Sequence, residues 1–259
     1  MNDTPQFDGL DLARVEEAGL NGLQTQRQLF YDGWLLRVSP GKAKRARSVN
    51  AHFGSRLPLA QKIAYCERVY AERGLPVLFR ITPFQKPPEL DAALDARGYQ
   101  AFQTTLVQLT RLDYPPEAPA VADVDFMTPT PAAFADAVGE LQGTSTEQRA
   151  AFLERLMHSP LTTRSVIAVM DGRAVGTGTV MLEDGLAGVF TMGTAPELRA
   201  RGIATGILAM MLRWAWEHGA SHAYLQVDEE NLPAISVYRK FGFVTAYTYH
   251  YRGRPGECQ

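Results

Sequence analysis

Two hydrophobic spacings alternate along the second half of this chain. Short runs rich in Val, Thr, Leu and Phe at residues 165–170, 174–182 and 186–191 predict strands. Asp171-Gly172 and Asp184-Gly185 separate them, and Asp-Gly suits the tight turns that join antiparallel strands. From Ala204 the spacing becomes helical. Ala204, Ile207, Leu208, Met211, Leu212 and Ala215 recur at the intervals of one buried helix face, and Gly219 ends the segment. Upstream, a strand near 124–127 and helices near 131–141 and 146–157 are expected. Downstream come a strand at 223–227, a short helix carrying Ala234, Val237 and Tyr238, a stop at Gly242, and an aromatic strand or strand pair over 243–251.

The first half repeats the later part of this order. A helix over 59–72 ends at Gly74, a strand spans 77–81, a helix spans 89–96 and ends before Gly98, and a strand spans 103–109. Gly74 and Gly98 lie 24 residues apart, Gly219 and Gly242 lie 23 apart, so order and spacing both favour an internal duplication. Pro115, Pro116 and Pro119 stiffen residues 112–122, which read as a linker between domains at 1–111 and 123–259. The fold class expected is α/β (α+β): two similar domains, each a mixed, mostly antiparallel sheet flanked by helices.

Composition narrows the class. Apolar content is 46% and charged content 21%, as in globular proteins, and a net charge of −2 favours neither nucleic acid nor a membrane surface. Cys66 and Cys258 lie too far apart in sequence to suggest a disulfide framework, and the five histidines show no metal spacing. The polar, acidic start (Asn2, Asp3, Asp8, Asp11) is unlike a secretory signal, so a cytoplasmic location is expected.

The most informative segment precedes the long helix. Residues 199–204 read Arg-Ala-Arg-Gly-Ile-Ala. A glycine-bearing loop that opens a helix aims several backbone N–H groups one way, and the helix dipole favours negative charge there. Arg199 and Arg201 add positive charge, so the loop is a seat for a phosphate-bearing molecule.

Three features now stand in order: Phe190-Thr191-Met192-Gly193-Thr194, then Arg199-x-x-Gly202-x-Ala204, then Asn231-x-x-Ala234-x-x-x-Tyr238-x-x-x-Gly242-Phe243. Together they resemble the GNAT superfamily of acyl-CoA-dependent N-acetyltransferases, whose loop reads [Gln/Arg]-x-x-Gly-x-[Gly/Ala]. The resemblance covers roughly residues 122–252. The first half looks like a degenerate copy: the position matching Gly202 is Leu57, and the one matching Tyr238 is Leu94. Tandem members of the superfamily exist, mycothiol synthase among them.

The resemblance implies acetyl-CoA as co-substrate and no metal. It implies that the backbone of Arg201, Gly202, Ile203, Ala204 and Thr205, with Arg199 and Ala200 beside it, cradles the pyrophosphate. It implies that pantetheine pairs like a strand with residues 190–194, where Met192 or Thr194 offers an N–H to the thioester carbonyl. Gly193 reads as a bulge or as a plain strand end. Asn231 contacts the pantetheine arm, caps a helix, or does both. Tyr238 matches the general acid: a phenol near pKa 10 can protonate a departing thiolate near 8.5. Its alternative is an aromatic on the buried face of its helix. Glu183, Asp184, Asp228, Glu229 and Glu230 are candidate general bases by location alone.

The acceptor expected is a primary amine on a small molecule, or a peptide or protein N-terminus. The molecule is expected to be a monomer with an internal pseudo-dimer, or a homodimer. Two rival readings are a non-catalytic acyl-CoA sensor and an acyltransferase with a longer donor. Lys42, Lys44, Arg45 and Arg47 read as a solvated hairpin tip, with binding of an acidic acceptor the alternative. Trp34, Trp214 and Trp216 read as core or interface.

Overall fold

A computed structural model describes residues 7, 9–25, 27–39 and 43–256; Lys42 and Cys258 lie outside the described residues, as do Asn2, Asp3 and Asp8. In chain order it runs α1 (Leu12–Asn21), β1 (Gln28–Tyr31), β2 (Trp34–Arg37), β3 (Val49–Asn50), α2 (Leu59–Ala71), β4 (Phe79–Ile81), α3 (Leu90–Asp95) and β5 (Gln100–Arg111). It continues with β6 (Asp125–Met127), α4 (Pro131–Gln142), α5 (Thr146–Met157), β7 (Thr162–Met170), β8 (Arg173–Glu183), β9 (Leu186–Thr194), α6 (Ile203–Glu217), β10 (His222–Asp228), α7 (Leu232–Arg239) and β11 (Val244–Gly253).

Local chemistry explains most of these boundaries. At both hairpin turns the Asp and the Gly take positive φ (50° and 74° at 171–172, 48° and 75° at 184–185), the twist that matches two antiparallel strands. Thr130 caps α4, and Ser145 with Gln148 forms a reciprocal capping box at α5. Gly74, Gly98, Gly219 and Gly242 are all left-handed, with φ of 62°, 79°, 84° and 76°. The matched glycines of the two halves therefore end their helices in the same way.

The structure forms two compact units, and the chain passes between them more than once. The larger holds the described residues up to Gly22, with 108–227 and 231–246; the smaller holds the rest. Strands β5 and β11 are each divided between the two. In the larger unit the strand order is β5-β10-β9-β8-β7-β6; β9 and β10 are parallel, and β6 to β9 pair antiparallel. In the smaller unit the order is β1-β2-β3-β4-β11, parallel only between β3 and β4. The mixed, mostly antiparallel sheet flanked by helices is thus the class the sequence leads one to expect. Among the described residues no helix is long and apolar enough to cross a membrane.

One face of the smaller unit's sheet is an apolar core. Trp34, Leu36, Val49, Phe79 and Ile81 meet Ile63, Cys66 and Tyr70 of α2 and Leu90 and Leu94 of α3. Lys62 lies within this region with its ammonium 3.3 Å from the Asp32 carboxylate and 4.1 Å from the Trp34 ring. Strand alternation sends Arg37, Asn50 and Arg80 to the opposite face, with Ser48 beside them. That face is polar, yet these four side chains are 0–3% exposed. Arg45 and Arg47 are half-buried. The 3-10 turn Lys44–Ala46 is therefore not the solvated hairpin tip expected: Ala46 and Ser48 are buried and draw the basic residues inward. Trp34 is core, as expected, whereas Trp216 is 38% exposed on the outer face of α6.

The sequence pattern did not reveal α1. Asp11 caps it, and it belongs with the larger unit. Asn21 and Arg14 reach Glu183 at the end of β8, at 2.9 and 3.3 Å. Gly22 leaves the room that the Phe190 ring of β9 occupies, since a Cβ there would lie 2.3 Å from it.

A chain starting at Asp123 lacks α1 and the end of β5, both parts of the larger unit. It should lose the cooperative thermal transition of the full chain, read by circular dichroism. A transition of equal sharpness and midpoint would show both to be dispensable.

Candidate active site

Strands β9 and β10 run parallel, so the loops leading to α6 and α7 leave the same end of the sheet. Carboxyl ends of adjacent parallel strands are where α/β sheets open to ligands. Here they open early. Pairing runs from Leu186↔His222 to Val189↔Leu225 and goes no further, although β9 continues to Thr194 and β10 to Asp228. The β10-facing edge of residues 190–194 is left outside the ladder.

A bulge aims that edge. On the β8 side the register shifts between Thr177 and Thr179, whose partners are Gly193 and Phe190. The extra residue on β9 puts Thr191 at φ 55°, a strained conformation for a β-branched residue. The buried Thr177 hydroxyl donates to the Thr191 carbonyl at 3.1 Å and holds the bulge. Gly193 borders the bulge and pairs with Thr177. The sequence offered Gly193 as a bulge or a strand end and Thr191 only as part of the 190–194 strand; Thr177 it did not single out, because a register shift depends on the neighbouring strand.

Helix α6 is pressed onto this sheet. A Cβ on Gly176 would lie 2.8 Å from Ile203 and Ile207; one on Gly178 would lie 2.6 Å from Ile207 and 2.9 Å from both Met192 and Met211. On the helix side, a Cβ on Gly206 would lie 2.4 Å from Phe126. The glycines let the backbones approach, and Ile207, Leu208, Met211, Leu212 and Ala215 are fully buried as their spacing predicts. Ala204 is half-buried. Each large buried side chain contributes about 1.5–3 kcal/mol. The Met192 side chain packs under α6, so what this residue offers at the site is its backbone.

The loop into α6 curls through two left-handed residues, Ala200 at φ 62° and Gly202 at φ 87°. Gly202 is the N-cap and supplies no side-chain bond, and the first helical bond is Gly206 N–H to Gly202 C=O at 2.9 Å. The amides of Ile203, Ala204 and Thr205 are thus the unsatisfied donors of a helix start. Arg199 and Arg201 are exposed beside them. The buried Thr194 hydroxyl, at the end of β9, has no hydrogen-bond partner among the described residues.

Asn231 caps α7, its Oδ1 accepting from Ala234 N–H at 3.2 Å. Tyr238 is 7% exposed with its ring 6.1 Å from Phe243, and burial pushes its hydroxyl up to about 12. The carboxylates divide. Glu183 accepts from Asn21 and Arg14, and Asp228 accepts from Gln103 and from Glu230 N–H, so both are held structurally. Asp184, Glu229 and Glu230 are exposed. Among the described residues no group of His, Cys, Asp and Glu could hold a metal ion.

This architecture is shared by known proteins. The family model described as "Probable histone acetyltransferase Rv0428c C-terminal" matches residues 11–252, and the chain belongs to that family of GNAT-type N-acetyltransferases. An "Uncharacterized N-acetyltransferase YobR" of Bacillus subtilis (strain 168) is 28% identical over 247 residues, 93% of this chain and 98% of its own length. A mycothiol acetyltransferase of Clavibacter sepedonicus is 34% identical over 73 residues, 28% of this chain and 24% of that protein. In fold, the chain resembles a GCN5-related N-acetyltransferase from Kribbella flavida (TM-score 0.68, 19% identity, 95% of each chain). It also resembles a tandem GNAT protein from the clavulanic acid biosynthesis pathway (TM-score 0.63, 19% identity, 80% of this chain and 74% of that one). The protein is an N-acetyltransferase, a class that takes its acetyl group from acetyl-CoA and acts on amine acceptors.

Gly178→Ala should destabilise the fold by about 1–3 kcal/mol, because the new methyl group meets three packed side chains. Denaturant unfolding measures this. An unchanged midpoint would show that α6 can lift without cost.

Proposed function

We propose that residues 123–259 carry out acetyl transfer from acetyl-CoA to a primary amine, and that residues 1–111 form a degenerate, tandem copy of the same fold without a second cofactor site. The amine belongs to a small molecule or to a peptide or protein N-terminus. The names of relatives include one small molecule and one protein, in a mycothiol acetyltransferase and in a family described by a histone acetyltransferase, and neither name specifies which amine is modified.

One observation carries this reading. The α6 N-terminus has no side-chain cap and follows a left-handed loop, while the neighbouring edge of β9 stands outside its ladder beside β10. Amides from Arg201 to Thr205 suit a pyrophosphate, and Gly202 allows close approach because it has no Cβ. The 190–194 edge suits an extended, amide-bearing arm, and the buried Thr194 hydroxyl supplies a polar contact there. Asn231, having committed its oxygen to the cap, retains its amide N–H donors toward the same arm. Acetyl-CoA, when bound, supplies an activated thioester.

Tyr238 acts as the general acid. Its raised pKa keeps the proton on oxygen across the physiological range. Desolvation raises a thiol in the same direction, as it raises the buried Cys66 to about 12. A thiol leaving into apolar surroundings is therefore matched to the tyrosine more closely than their values in water imply. The exposed carboxylates leave the deprotonation of the amine to solvent.

Tyr238→Phe should lower kcat by about 10²–10⁴-fold with acetyl-CoA affinity unchanged, read by thiol release and calorimetry. Because the hydroxyl titrates far above 10, wild-type kcat should show no alkaline loss of an acid below pH 10. Unchanged kcat in Tyr238→Phe removes the residue from the mechanism. Gly202→Val should weaken acetyl-CoA binding by about tenfold or more, since φ 87° excludes a branched residue. Acetyl-CoA binding without thiol release, across a panel of amines and peptides, would favour a sensor. Tighter binding of longer acyl-CoAs would favour another donor.

A further inference from the structure

The larger unit holds a cavity of about 660 Å³ that acetyl transfer leaves unused. That size is ordinary for a small-molecule pocket. Its walls come from the end of β5 and the proline-rich segment after it, from α6, and from the turn after α7. Three chain paths put it at the opposite end of the sheet from the α6 N-terminus. Leu112 N–H donates to the carbonyl of Ser221, just before β10 begins, whereas the candidate active site opens at the other end of that strand. Leu212 lies about 14 Å along the α6 axis from Ile203. Lys240, Phe241 and Gly242 follow α7, whose first end is capped by Asn231.

The lining is divided in chemistry. Leu112 and Leu212 are buried and Phe241 is half-buried, which gives the cavity an apolar floor. The buried Thr110 hydroxyl donates to the Phe241 carbonyl at 2.9 Å and ties the β5 wall to the α7 wall. Tyr114, 75% exposed, stands on the rim with Glu117 and Lys240. Pro115 and Pro116 restrict the backbone between Tyr114 and Glu117, so a ligand there has less loop entropy to overcome.

Arg111 and Asp113, also on the rim, match each other at 2.8 Å. Lys240 and Glu117 are different. Their side chains form no ion pair or hydrogen bond among the described residues, with each other or with any other group. Two opposite charges held apart around an apolar floor complement a molecule that carries both charges on an apolar body. A purely anionic or purely cationic ligand would leave one of them unmatched.

We propose that this cavity binds a small zwitterion, an amino acid or dipeptide with an apolar side chain. Lys240 meets its carboxylate, Glu117 meets its ammonium, and the side chain lies on Leu112 and Leu212 beside the Tyr114 ring. The site is separate from the acetyl-transfer site and does not depend on that reaction.

The test is calorimetry of the full chain with L-phenylalanine and, separately, L-leucyl-L-phenylalanine. The comparison compounds are 3-phenylpropionate, which keeps the carboxylate alone, and phenethylamine, which keeps the ammonium alone. At least one zwitterion should bind saturably and more tightly than both single-charge compounds, and the tighter of the two zwitterions sets the length of the ligand. Lys240→Gln and Glu117→Gln should each weaken it by about threefold or more, and Tyr114→Ala by a similar factor. All three residues are exposed, so these variants should fold. Binding should persist in saturating coenzyme A. Competition by coenzyme A would make the cavity part of the cofactor site and overturn the proposal. Binding unchanged in both Lys240→Gln and Glu117→Gln would put the ligand elsewhere, the acceptor site included, and overturn it too. So would the absence of saturable binding of either zwitterion, or equal binding of a single-charge compound.

Discussion

The larger unit depends on the close approach of one helix to one sheet. Gly176 and Gly178 on β8 remove the side chains that would hold α6 away, and Gly206 does the same toward Phe126. The helix is thereby fixed in height and direction along its buried face. Its first turn is fixed as well, and with it the unsatisfied amides beyond Gly202. The proposed pyrophosphate seat would need such a support.

The same packing constrains β9. Met192 shares with Ile207 and Met211 of α6 the space that Gly178 leaves open. The bulge at Thr191 lies next to it, and Thr177 holds that bulge from the neighbouring strand. Strain at Thr191, an open strand edge and an uncapped helix all occur at the same end of the same unit. Each is unfavourable in isolation.

The smaller unit shares a local pattern of helices and glycines with the larger one but differs from it in its side chains. Helix, left-handed glycine, strand, helix and left-handed glycine recur at Gly74 and Gly98 as at Gly219 and Gly242. Under the proposed duplication, Leu57 and Leu94 take the places of the loop glycine and the tyrosine. Polar residues concentrate instead on the second face of the sheet, around Arg80 and Tyr251. The fold tolerates them because alternation separates the two faces: apolar residues on one build the core, and the other is free to be basic.

Short-range rules made much of this legible from the amino acids. Asp-Gly pairs set the hairpins because both residues accept the positive φ of a turn that matches strand twist. The spacing from Ile207 to Ala215 marked the buried face of α6, and Gly202 marked the left-handed start of that helix. Each depends on neighbours within about one turn or one hairpin. The tertiary structure decided the rest. It placed α1 beside β8 and β9, ended the β9–β10 ladder at Val189, put the bulge at Thr191, turned Arg45 inward and left Trp216 outside. These outcomes follow from which distant surfaces meet, and a burial set by a partner far away in sequence leaves no periodicity near the residue that it buries.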